Sequence, residues 1–367
     1  MIERRILLVG GGSGGHVYPL VVVARSLKEQ ASLQGLNLKL MMLGSSIFLE
    51  RAAKENNLPF KKVTAGKFRR YPSLASLADP FKVLASFVQS LWYLFLFMPD
   101  VVFTKGGYVS VVPALVAKLY MIPVFTHESD SVPGLANKII SKFAKKIFIS
   151  FSDSAKYLNV AKTILTGNPI RKDLSQGDKN SAIQYFNFSQ PKPTVLVLGG
   201  SRGAKVLNDV VISGLPALIQ KLNIIHQCGE SQYDSVKTEA DKIAPESYRL
   251  YSFLDENQLT LAYSLADIIV ARAGGSLLFE IAQVGKPAIV VPILNSPANH
   301  QYLNAAEFSS YGGRLIEEPN FNSDSLLRTI ENILNPDNYI KISDSIKKFA
   351  TPDAADIIAR ELVSSIR

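Results

Sequence analysis

Residues 8–19 read LVGGGSGGHVYP, and this stretch decides the fold. A short apolar strand leads into residues 10–15, where five of the six positions are glycine. Glycine lets a turn bring its backbone close to a ligand or to another element. Residues 19–35 behind the turn have the spacing of an amphipathic helix. The pattern therefore predicts a strand, a glycine turn and a helix, which is the opening unit of a parallel α/β sheet.

The same pattern starts again in the second half of the chain. Residues 194–208 read TVLVLGGSRGAKVLN, again a strand, a glycine turn and the beginning of a helix. Short apolar strands alternate with helical segments after both turns, as is typical of βα units. We expect an α/β protein with two doubly wound, Rossmann-like domains that face each other across a cleft. Ligands should bind beyond the carboxyl ends of the strands.

Composition and charge narrow the possible partners. The chain has 367 residues and one cysteine, Cys228, so neither a disulfide framework nor a Cys/His zinc pattern is available. The apolar run before the first glycine turn is too short for a signal peptide, which favours the cytoplasm. Residues 1–190 contain 24 basic and 11 acidic residues, whereas residues 191–367 contain 16 and 20. The basic half suggests a membrane surface, a phosphorylated ligand or nucleic acid, or simply a solvated surface. Because no nucleic-acid-binding motif accompanies the charge, we expect no nucleic acid partner.

One apolar segment allows three interpretations. Residues 80–99 read PFKVLASFVQSLWYLFLFMP, and no charged residue lies between 83 and 98. The segment could be a buried helix of the first domain, a helix in the membrane interface, or a membrane span. The basic sequence KFRRY at 67–71 lies just upstream and suits the interfacial alternative.

The first glycine turn does not predict a nicotinamide enzyme. Gly10, Gly12 and Gly15 satisfy G-x-G-x-x-G, but that fingerprint also needs an acidic residue at the end of the second strand. Here the second strand ends with glycine and serine, LGSS at 43–46. Successive backbone N–H groups in such a turn can instead hold an anion or sugar hydroxyls.

Seven motifs in a fixed order extend this pattern along nearly the whole chain. After the first turn come GGYVSVVPA, HESDSVPGLANK, GNPIR, GGSRGA, ARAGGSLLFEIAQVGKPAIVVP and NHQYLNA, beginning at residues 106, 127, 167, 199, 271 and 299. This arrangement resembles the MurG family of N-acetylglucosamine transferases. The resemblance implies a GT-B fold, with an acceptor and membrane-facing domain at 1–166 and a UDP-sugar domain at 167–349. The C-terminal segment, about 350–367, is a candidate to pack back on the first domain.

The resemblance also implies a reaction and its location. Members invert the anomeric centre as they move N-acetylglucosamine from UDP-N-acetylglucosamine to undecaprenyl-diphospho-N-acetylmuramyl-pentapeptide (lipid I). The product, lipid II, serves peptidoglycan synthesis. The family uses no redox cofactor and acts as a peripheral protein on the anionic cytoplasmic face of the cell membrane. The alternatives are another GT-B enzyme, either a glycolipid transferase or a UDP-sugar 2-epimerase, and a non-catalytic nucleotide-sugar-binding protein.

Site residues follow from the resemblance position by position. His16 suits the base that deprotonates a sugar hydroxyl, since a histidine side chain ordinarily has a pKa near neutrality, and Glu128 is the alternative base or an acceptor-orienting group. A guanidinium suits phosphate oxygens, so the donor diphosphate is expected at Arg171, with Ser201 beside it. Glu280 is expected to accept both ribose hydroxyls. The other expected donor contacts are Ser13, Gly14, Gly15, Asp130, Leu254 (backbone to uracil), Gly275, Ser276, Leu277 and Gln301, with Asn304 near Gln301.

Several positions depart from the family pattern. Ser13 replaces a usual threonine, Arg202 a common glutamine, and His300 the first of two glutamines. The sequence HESD replaces a more familiar His-Glu-Gln-Asn, so Asp130 offers only acceptors where an asparagine could also donate. Because the chain contains no Asp-x-Asp motif, we expect no metal at the diphosphate.

Overall fold

The computed structural model describes residues 3–11, 14–66, 79–200, 203–243 and 246–366. The chain forms two compact units. Unit 1 comprises Met1–Ile170 together with Thr351–Arg367, and unit 2 comprises Arg171–Ala350. Each unit contains its own parallel sheet, so the predicted α/β fold of two parallel-sheet domains is confirmed.

Unit 1 is built on a seven-stranded sheet in the order β3-β2-β1-β4-β5-β6-β7. Its strands are β1 (Glu3–Val9), β2 (Asn37–Gly44), β3 (Phe60–Lys62), β4 (Val101–Thr104), β5 (Val124–Glu128), β6 (Lys146–Ile149) and β7 (Thr163–Leu165). The strands carry near-continuous runs of Val, Ile, Leu and Phe, because helices cover both faces of a parallel sheet. The strand order reverses between β1 and β4, which is where ligands bind in sheets of this kind.

The helices of unit 1 come from both ends of the chain. They are α1 (Gly14–Leu33), α2 (Ile47–Glu55), α3 (Asp79–Phe97), α4 (Tyr108–Leu119), α5 (Leu135–Ser141) and α14 (Ala354–Ser364). The C-terminal helix α14 packs against α1 and buries Ile358 and Leu362 in the same core as Leu20 and Phe103. An ion pair between Lys146 and Glu361 also joins α14 to this unit.

Unit 2 repeats the strand order of unit 1 without its last strand. Its six strands lie in the order β10-β9-β8-β11-β12-β13. They are β8 (Thr194–Leu198), β9 (Asn223–Gln227), β10 (Tyr248–Tyr251), β11 (Ile268–Ala271), β12 (Ala288–Val290) and β13 (Arg314–Leu315). The helices are α6 (Lys179–Phe186), α7 (Lys205–Lys221), α8 (Tyr233–Asp241), α9 (Glu256–Leu265), α10 (Gly275–Val284), α11 (His300–Ser310), α12 (Ser323–Leu334) and α13 (Pro336–Lys347). The strand order reverses between β8 and β11, and the second glycine turn, which follows β8, lies at this point.

Helix α3 has an unusual distribution of side chains. Small residues, Ser86 and Ser90, lie buried with Leu94 at four-residue spacing, so they form one stripe of the helix. The large apolar side chains face outward, and six of them are more than half exposed: Phe81, Leu84, Val88, Trp92, Phe95 and Leu96. The interpretation of this segment as a buried core helix is therefore wrong. By length and composition alone, α3 is also long and apolar enough to cross a membrane.

Candidate functional site

The first glycine turn lies at the reversal point of the sheet of unit 1. The Gly10 N–H donates to the carbonyl of Leu43, and a Cβ added at Gly44 would lie 2.2 Å from the Gly10 oxygen. On the other side, a Cβ added at Gly107 would lie 3.3 Å from the Gly11 oxygen. The turns after β1, β2 and β4 therefore meet through their backbones, and side chains are excluded where they touch.

The predicted residues of this turn lie partly outside the described part of the chain. Ser13 lies outside the described residues, and Gly14 and Gly15 open helix α1. His16 is the third residue of α1, and its side chain lies outside the description. The backbone of α1 thus puts His16 in the first turn of a helix that starts at the carboxyl edge of the sheet.

Glu128 ends β5 at the same edge and organises the loop that follows. Its carboxylate accepts four hydrogen bonds, from the N–H groups of Ser129 (2.7 Å), Asp130 (3.0 Å) and Gly134 (3.0 Å) and from the Asn137 amide (2.9 Å). Burial and the neighbouring Asp130 raise the pKa of Glu128, while the Asn137 hydrogen bond and the backbone donors oppose this shift. The four donors occupy both carboxylate oxygens, so Glu128 is committed to the loop 129–134.

Asp130 lies in this loop and is partly exposed. Its carbonyl accepts a hydrogen bond from Ser154 (2.6 Å), and its N–H is held by Glu128, so its backbone is fixed on two sides. Asn137 contacts Thr126 as well as Glu128, and its side chain would clash with any Cβ at Gly106. The sequence did not lead us to predict a role for Asn137, although this residue lies in the motif HESDSVPGLANK.

The second glycine turn packs equally closely in unit 2. A Cβ added at Gly203 would lie 2.0 Å from the Cys228 oxygen, whereas one added at Gly200 meets no described residue within 4 Å. Both residues have positive φ, 75° and 79°, a conformation that favours glycine. Ser201 and Arg202 lie outside the described residues. The turn therefore follows β8 with its backbone pressed onto the end of β9.

Gln227 links this turn to the segment predicted to read uracil. Its Oε1 accepts the N–H of Leu254 at 2.9 Å, and its Nε2 donates to the Gly200 oxygen at 3.4 Å. The N–H of Leu254 is therefore already bonded within the protein, and the expected uracil contact would need the carbonyl oxygen of this residue instead. The sequence reading missed Gln227 because a single glutamine at a strand end has no distinctive pattern.

Arg171 and Glu280 are brought near each other beside helices α9 and α10. The Arg171 guanidinium is 8% exposed and lies 2.9 Å from the Glu256 carboxylate through Nη1. Tyr263 in α9 donates a hydrogen bond to Glu280 Oε2 at 3.0 Å. Burial raises the pKa of Glu280, and the Tyr263 hydrogen bond and the Arg171 charge oppose that shift. The predicted ribose and diphosphate residues thus share one electrostatic environment, and Tyr263 is the member that the sequence reading missed.

Helix α10 begins with the predicted residues Gly275, Ser276 and Leu277 at the reversal point of the second sheet. Its N-cap is Gly274, which has no side chain to occupy the first N–H groups of the helix. Among the described residues, no atom lies within 4 Å of a Cβ added at Gly274, so none of them fills the space in front of it. The partial positive charge of the helix N-terminus favours an anion at this position.

The last predicted donor contact lies in helix α11. Gln301 uses its Oε1 to accept the N–H of Ile293 at 3.0 Å, while His300 Nδ1 donates to the Pro297 carbonyl. Asn304 is fully buried and donates to the Ala273 oxygen at 3.1 Å, which ties α11 to the turn before α10. The segment 292–299 is thereby held against the edge where α10 begins.

A salt bridge also stabilises the edge of the sheet where α10 begins. Arg272 follows β11 and pairs with Glu318 at 2.7 Å, and Glu318 also accepts the N–H of Leu294 at 3.1 Å. Within the described ranges, no group of three His, Cys, Asp or Glu side chains is arranged to hold a metal ion.

Comparison with known proteins assigns a class to this architecture. The model of the glycosyltransferase family 28 N-terminal domain matches residues 6–149, and that of the family 28 C-terminal domain matches residues 194–359. The chain therefore belongs to glycosyltransferase family 28. Its fold is the two-domain GT-B fold expected from the sequence.

Individual relatives narrow the class further. The chain is 36% identical over 344 residues to a UDP-N-acetylglucosamine–N-acetylmuramyl-(pentapeptide) pyrophosphoryl-undecaprenol N-acetylglucosamine transferase of Clostridium perfringens, covering 93% of each chain. Among solved structures, it is similar to MurG of Acinetobacter baumannii, with a TM-score of 0.72, 26% identity and coverage of 98% and 99%. It also shares its fold with a UDP-GlcNAc 2-epimerase of Neisseria meningitidis, with a TM-score of 0.71, 14% identity and coverage of 99% and 100%. At that identity, the epimerase shows the fold alone.

Proposed function

We propose that this chain transfers N-acetylglucosamine from UDP-N-acetylglucosamine to lipid I and so forms lipid II for peptidoglycan synthesis. The observation that carries the proposal is the 36% identity to a transferase of that name over 93% of both chains. The likeness spans unit 1 and unit 2 alike, so it includes both the acceptor part and the donor part of such an enzyme. Fold similarity alone does not separate a transferase from an epimerase.

The donor is proposed to bind at the carboxyl edge of unit 2. Glu280, held by Tyr263, accepts hydrogen bonds from the two ribose hydroxyls, and the carbonyl of Leu254 faces the base. The diphosphate lies at the open N-terminus of α10, where Gly275 and Ser276 supply N–H groups. Gln301 retains its amide N–H₂ for the sugar hydroxyls, because its Oε1 is used by Ile293.

Arg171 adds positive charge to the same region. Its buried guanidinium forms an ion pair with Glu256 through Nη1. Because UDP gains negative charge as it leaves, a guanidinium and a helix N-terminus lower the barrier by stabilising that charge. Arg171 and the helix N-terminus thus stabilise the negative charge of the diphosphate, which is the role of the metal ion in enzymes with an Asp-x-Asp motif.

The acceptor is proposed to bind at the carboxyl edge of unit 1, with His16 as the base. A hydroxyl oxygen of the acceptor attacks the anomeric carbon, the bond to the diphosphate breaks, and its electron pair leaves with UDP. The proton of the hydroxyl passes to the imidazole of His16 and then to solvent. Glu128 is the weaker candidate for this step, since four donors already bind its carboxylate.

The outward face of α3 is proposed to dock the protein on the cytoplasmic face of the membrane. Besides its six exposed apolar side chains, Leu119 at the end of α4, a helix that contacts α3, and Met121 are exposed, Met121 by 90%. Burying each such side chain in the interface gains about 1.5–3 kcal/mol at most, so a few suffice for reversible binding. A peripheral position would give the enzyme access to an acceptor whose lipid stays in the bilayer.

Vesicle sedimentation tests the docking proposal. The double variant Leu84→Glu and Val88→Glu should bind anionic vesicles much more weakly than the unchanged protein. Ile183→Glu alters an equally exposed apolar residue of unit 2 and serves as the control. If the α3 variant sediments with vesicles as well as the control does, the proposed docking face is wrong.

Release of UDP tests the transferase itself. Purified protein with UDP-N-acetylglucosamine should release UDP only when a lipid I analogue is present, and Glu280→Ala should strongly lower the release. Calorimetry with UDP shows separately whether the donor unit binds. Release without acceptor, or formation of an epimerised UDP-sugar, would contradict the proposal.

A further inference from the structure

Three buried polar side chains of unit 2 form a network that has no role in the reaction described so far. They are Tyr248 on β10, His226 on β9 and Asn208 in helix α7, and each is at most 7% exposed. A buried polar group without a hydrogen-bond partner costs free energy, so such groups are paired. The partners of these three side chains therefore show what the network holds in place.

A backbone carbonyl fixes the orientation of the Asn208 amide. Asn208 Nδ2 lies 3.0 Å from the Cys228 oxygen, which can only accept, and 2.8 Å from Gln232 Oε1. The amide therefore turns its N–H₂ group towards the segment 228–232 and its Oδ1 towards His226. Because both N–H groups are bonded to this segment, Asn208 holds the loop that follows β9.

The orientation of Asn208 determines where the other protons of the network lie. His226 Nε2 is 2.9 Å from Asn208 Oδ1 and must donate, so His226 Nδ1 accepts from the Tyr248 hydroxyl at 2.8 Å. The histidine is thus neutral, in agreement with its burial, which lowers its pKa to about 3. Each hydrogen bond has one donor and one acceptor, and donation runs from Tyr248 through His226 and Asn208 to the Cys228 carbonyl.

The network ends at the carbonyl against which the second glycine turn packs. A Cβ added at Gly203 would lie 2.0 Å from this Cys228 oxygen, so the turn and the carbonyl are in close contact. Asn208 is also the fourth residue of α7, the helix that begins directly after the turn. One side chain therefore joins the helix that follows the turn to the loop that packs against it, and a displaced Asn208 would displace the turn.

We propose that Asn208 and His226 are positioning residues for the donor diphosphate, because they hold the glycine turn 199–204 in the place where its backbone can bind phosphate oxygens. Tyr248 acts one step further away by keeping His226 in the tautomer that donates to Asn208. Hydrogen bonds to a charged group are short and directional, so a small displacement of the turn weakens them. The inference rests on the proposed donor site of unit 2 and assigns that site three further residues.

Comparison of UDP with uridine, which lacks the diphosphate, tests the positioning role. Asn208→Leu keeps the size of the side chain and adds no charge. It should weaken UDP binding by about tenfold or more and uridine binding by less than about threefold, measured by calorimetry and ligand-detected NMR. Uridine binding should be kept because side chains alternate along β9, so Gln227 points away from His226 and retains its bond to Leu254. A merely structural role would lower both affinities together.

A matched pair of substitutions at His226 tests the hydrogen bond to Asn208. His226→Gln retains an N–H group that can donate to Asn208 Oδ1, whereas His226→Leu does not. We expect His226→Gln to bind UDP within about threefold of the unchanged protein and His226→Leu to lose about tenfold. The variant with both His226→Leu and Asn208→Leu should bind UDP about as well as Asn208→Leu alone, since both substitutions break the same network.

A milder pair of variants keeps the test decisive where a leucine variant does not fold. Tyr248→Phe removes one hydroxyl from the network and should weaken UDP binding by about twofold or more, with uridine binding unchanged. Tyr339→Phe alters a partly buried tyrosine of α13 and is the control, which should leave both affinities unchanged. Thermal unfolding of every variant shows whether it is folded.

The outcomes separate this inference from the proposed function. If the folded variants lose UDP and uridine affinity equally, or keep their UDP affinity, the positioning role is wrong. If the unchanged protein does not bind UDP, the donor site of unit 2 is wrong and the inference with it. If the variants behave as expected but no sugar reaches lipid I, the positioning role stands and the transferase reaction is wrong.

Discussion

The two sheets share their strand order, and each has glycine turns at its reversal point, but the two edges are built differently. In unit 1, the edge is filled by buried polar groups that bind one another, with Glu128 and Lys105 at the centre. In unit 2, helix α10 begins at a glycine N-cap that no described side chain covers, and this helix start and the Arg171–Glu280 region form the proposed donor site. The same topology can therefore organise a loop through buried charges, as in unit 1, or leave backbone donors for an anion, as in unit 2.

The largest effect should distinguish the two candidate bases of unit 1. His16→Ala should lower turnover by roughly 10²–10⁴-fold, the range for loss of a general base, with little change in melting temperature. Glu128→Gln places an amide against backbone donors and should cost about 1–3 kcal/mol of folding stability. Steady-state kinetics and thermal unfolding of both variants check this. A large kinetic loss in Glu128→Gln without loss of stability would make Glu128 the base.

The next effect concerns the glycine turn of unit 2 and uses a matched pair of glycines. Gly203→Ala and Gly200→Ala share the strain of a positive φ, about 1–2 kcal/mol, but only the Gly203 Cβ meets backbone, at 2.0 Å. Gly203→Ala should therefore cost about 3 kcal/mol or more and lose UDP binding. Chemical denaturation and calorimetry measure both quantities. Equal losses in the two variants would mean that the close approach to Cys228 does not matter.

A smaller effect is expected at the proposed ribose anchor. Glu280→Gln should weaken UDP binding by roughly 10–100-fold, since hydrogen bonds to a charged group contribute about 1.5–3 kcal/mol. Tyr263→Phe removes only the hydroxyl that orients Glu280 and should cost a few fold. Calorimetry with UDP orders the two variants, and the reverse order would show that Tyr263, not Glu280, contacts the nucleotide.

The last effect is a pH dependence carried by unit 2. His226 is buried between Tyr248 and Asn208, and burial lowers its pKa from 6.5 to about 3. The unfolded chain takes up this proton below pH 6.5 and the folded chain does not, so stability is lost as the pH falls from 6.5 towards 3. At pH 5 the loss should be about 2 kcal/mol. His226→Gln should flatten the dependence of melting temperature on pH, and an unchanged slope would contradict the burial argument.

The sequence predicted the parts of the fold that depend on local pattern. The glycine turns after β1 and β8 were recognisable because a strand, clustered glycines and a helix follow one another directly. The buried polar cluster of unit 1 was not predictable in this way. The partners of Lys105 lie 22, 24 and 63 residues away along the chain. From the sequence alone, a lysine is expected to be exposed.

For helix α3, the sequence left three interpretations open. Its apolar composition made burial a natural expectation, since large apolar side chains are usually inside. The structure instead buries Ser86 and Ser90 and leaves Trp92 outside. Composition alone cannot show which stripe of a helix packs on its own unit.

The most direct test of the account is the identity of the sugar-bearing product. Protein is incubated with UDP-N-acetylglucosamine and a lipid I analogue, and the lipid and nucleotide fractions are analysed by mass spectrometry and sugar chromatography. We expect the lipid to gain one N-acetylhexosamine and an equal amount of UDP to appear. An unchanged lipid together with an epimerised UDP-sugar would contradict it, because the shared fold would then serve a different reaction.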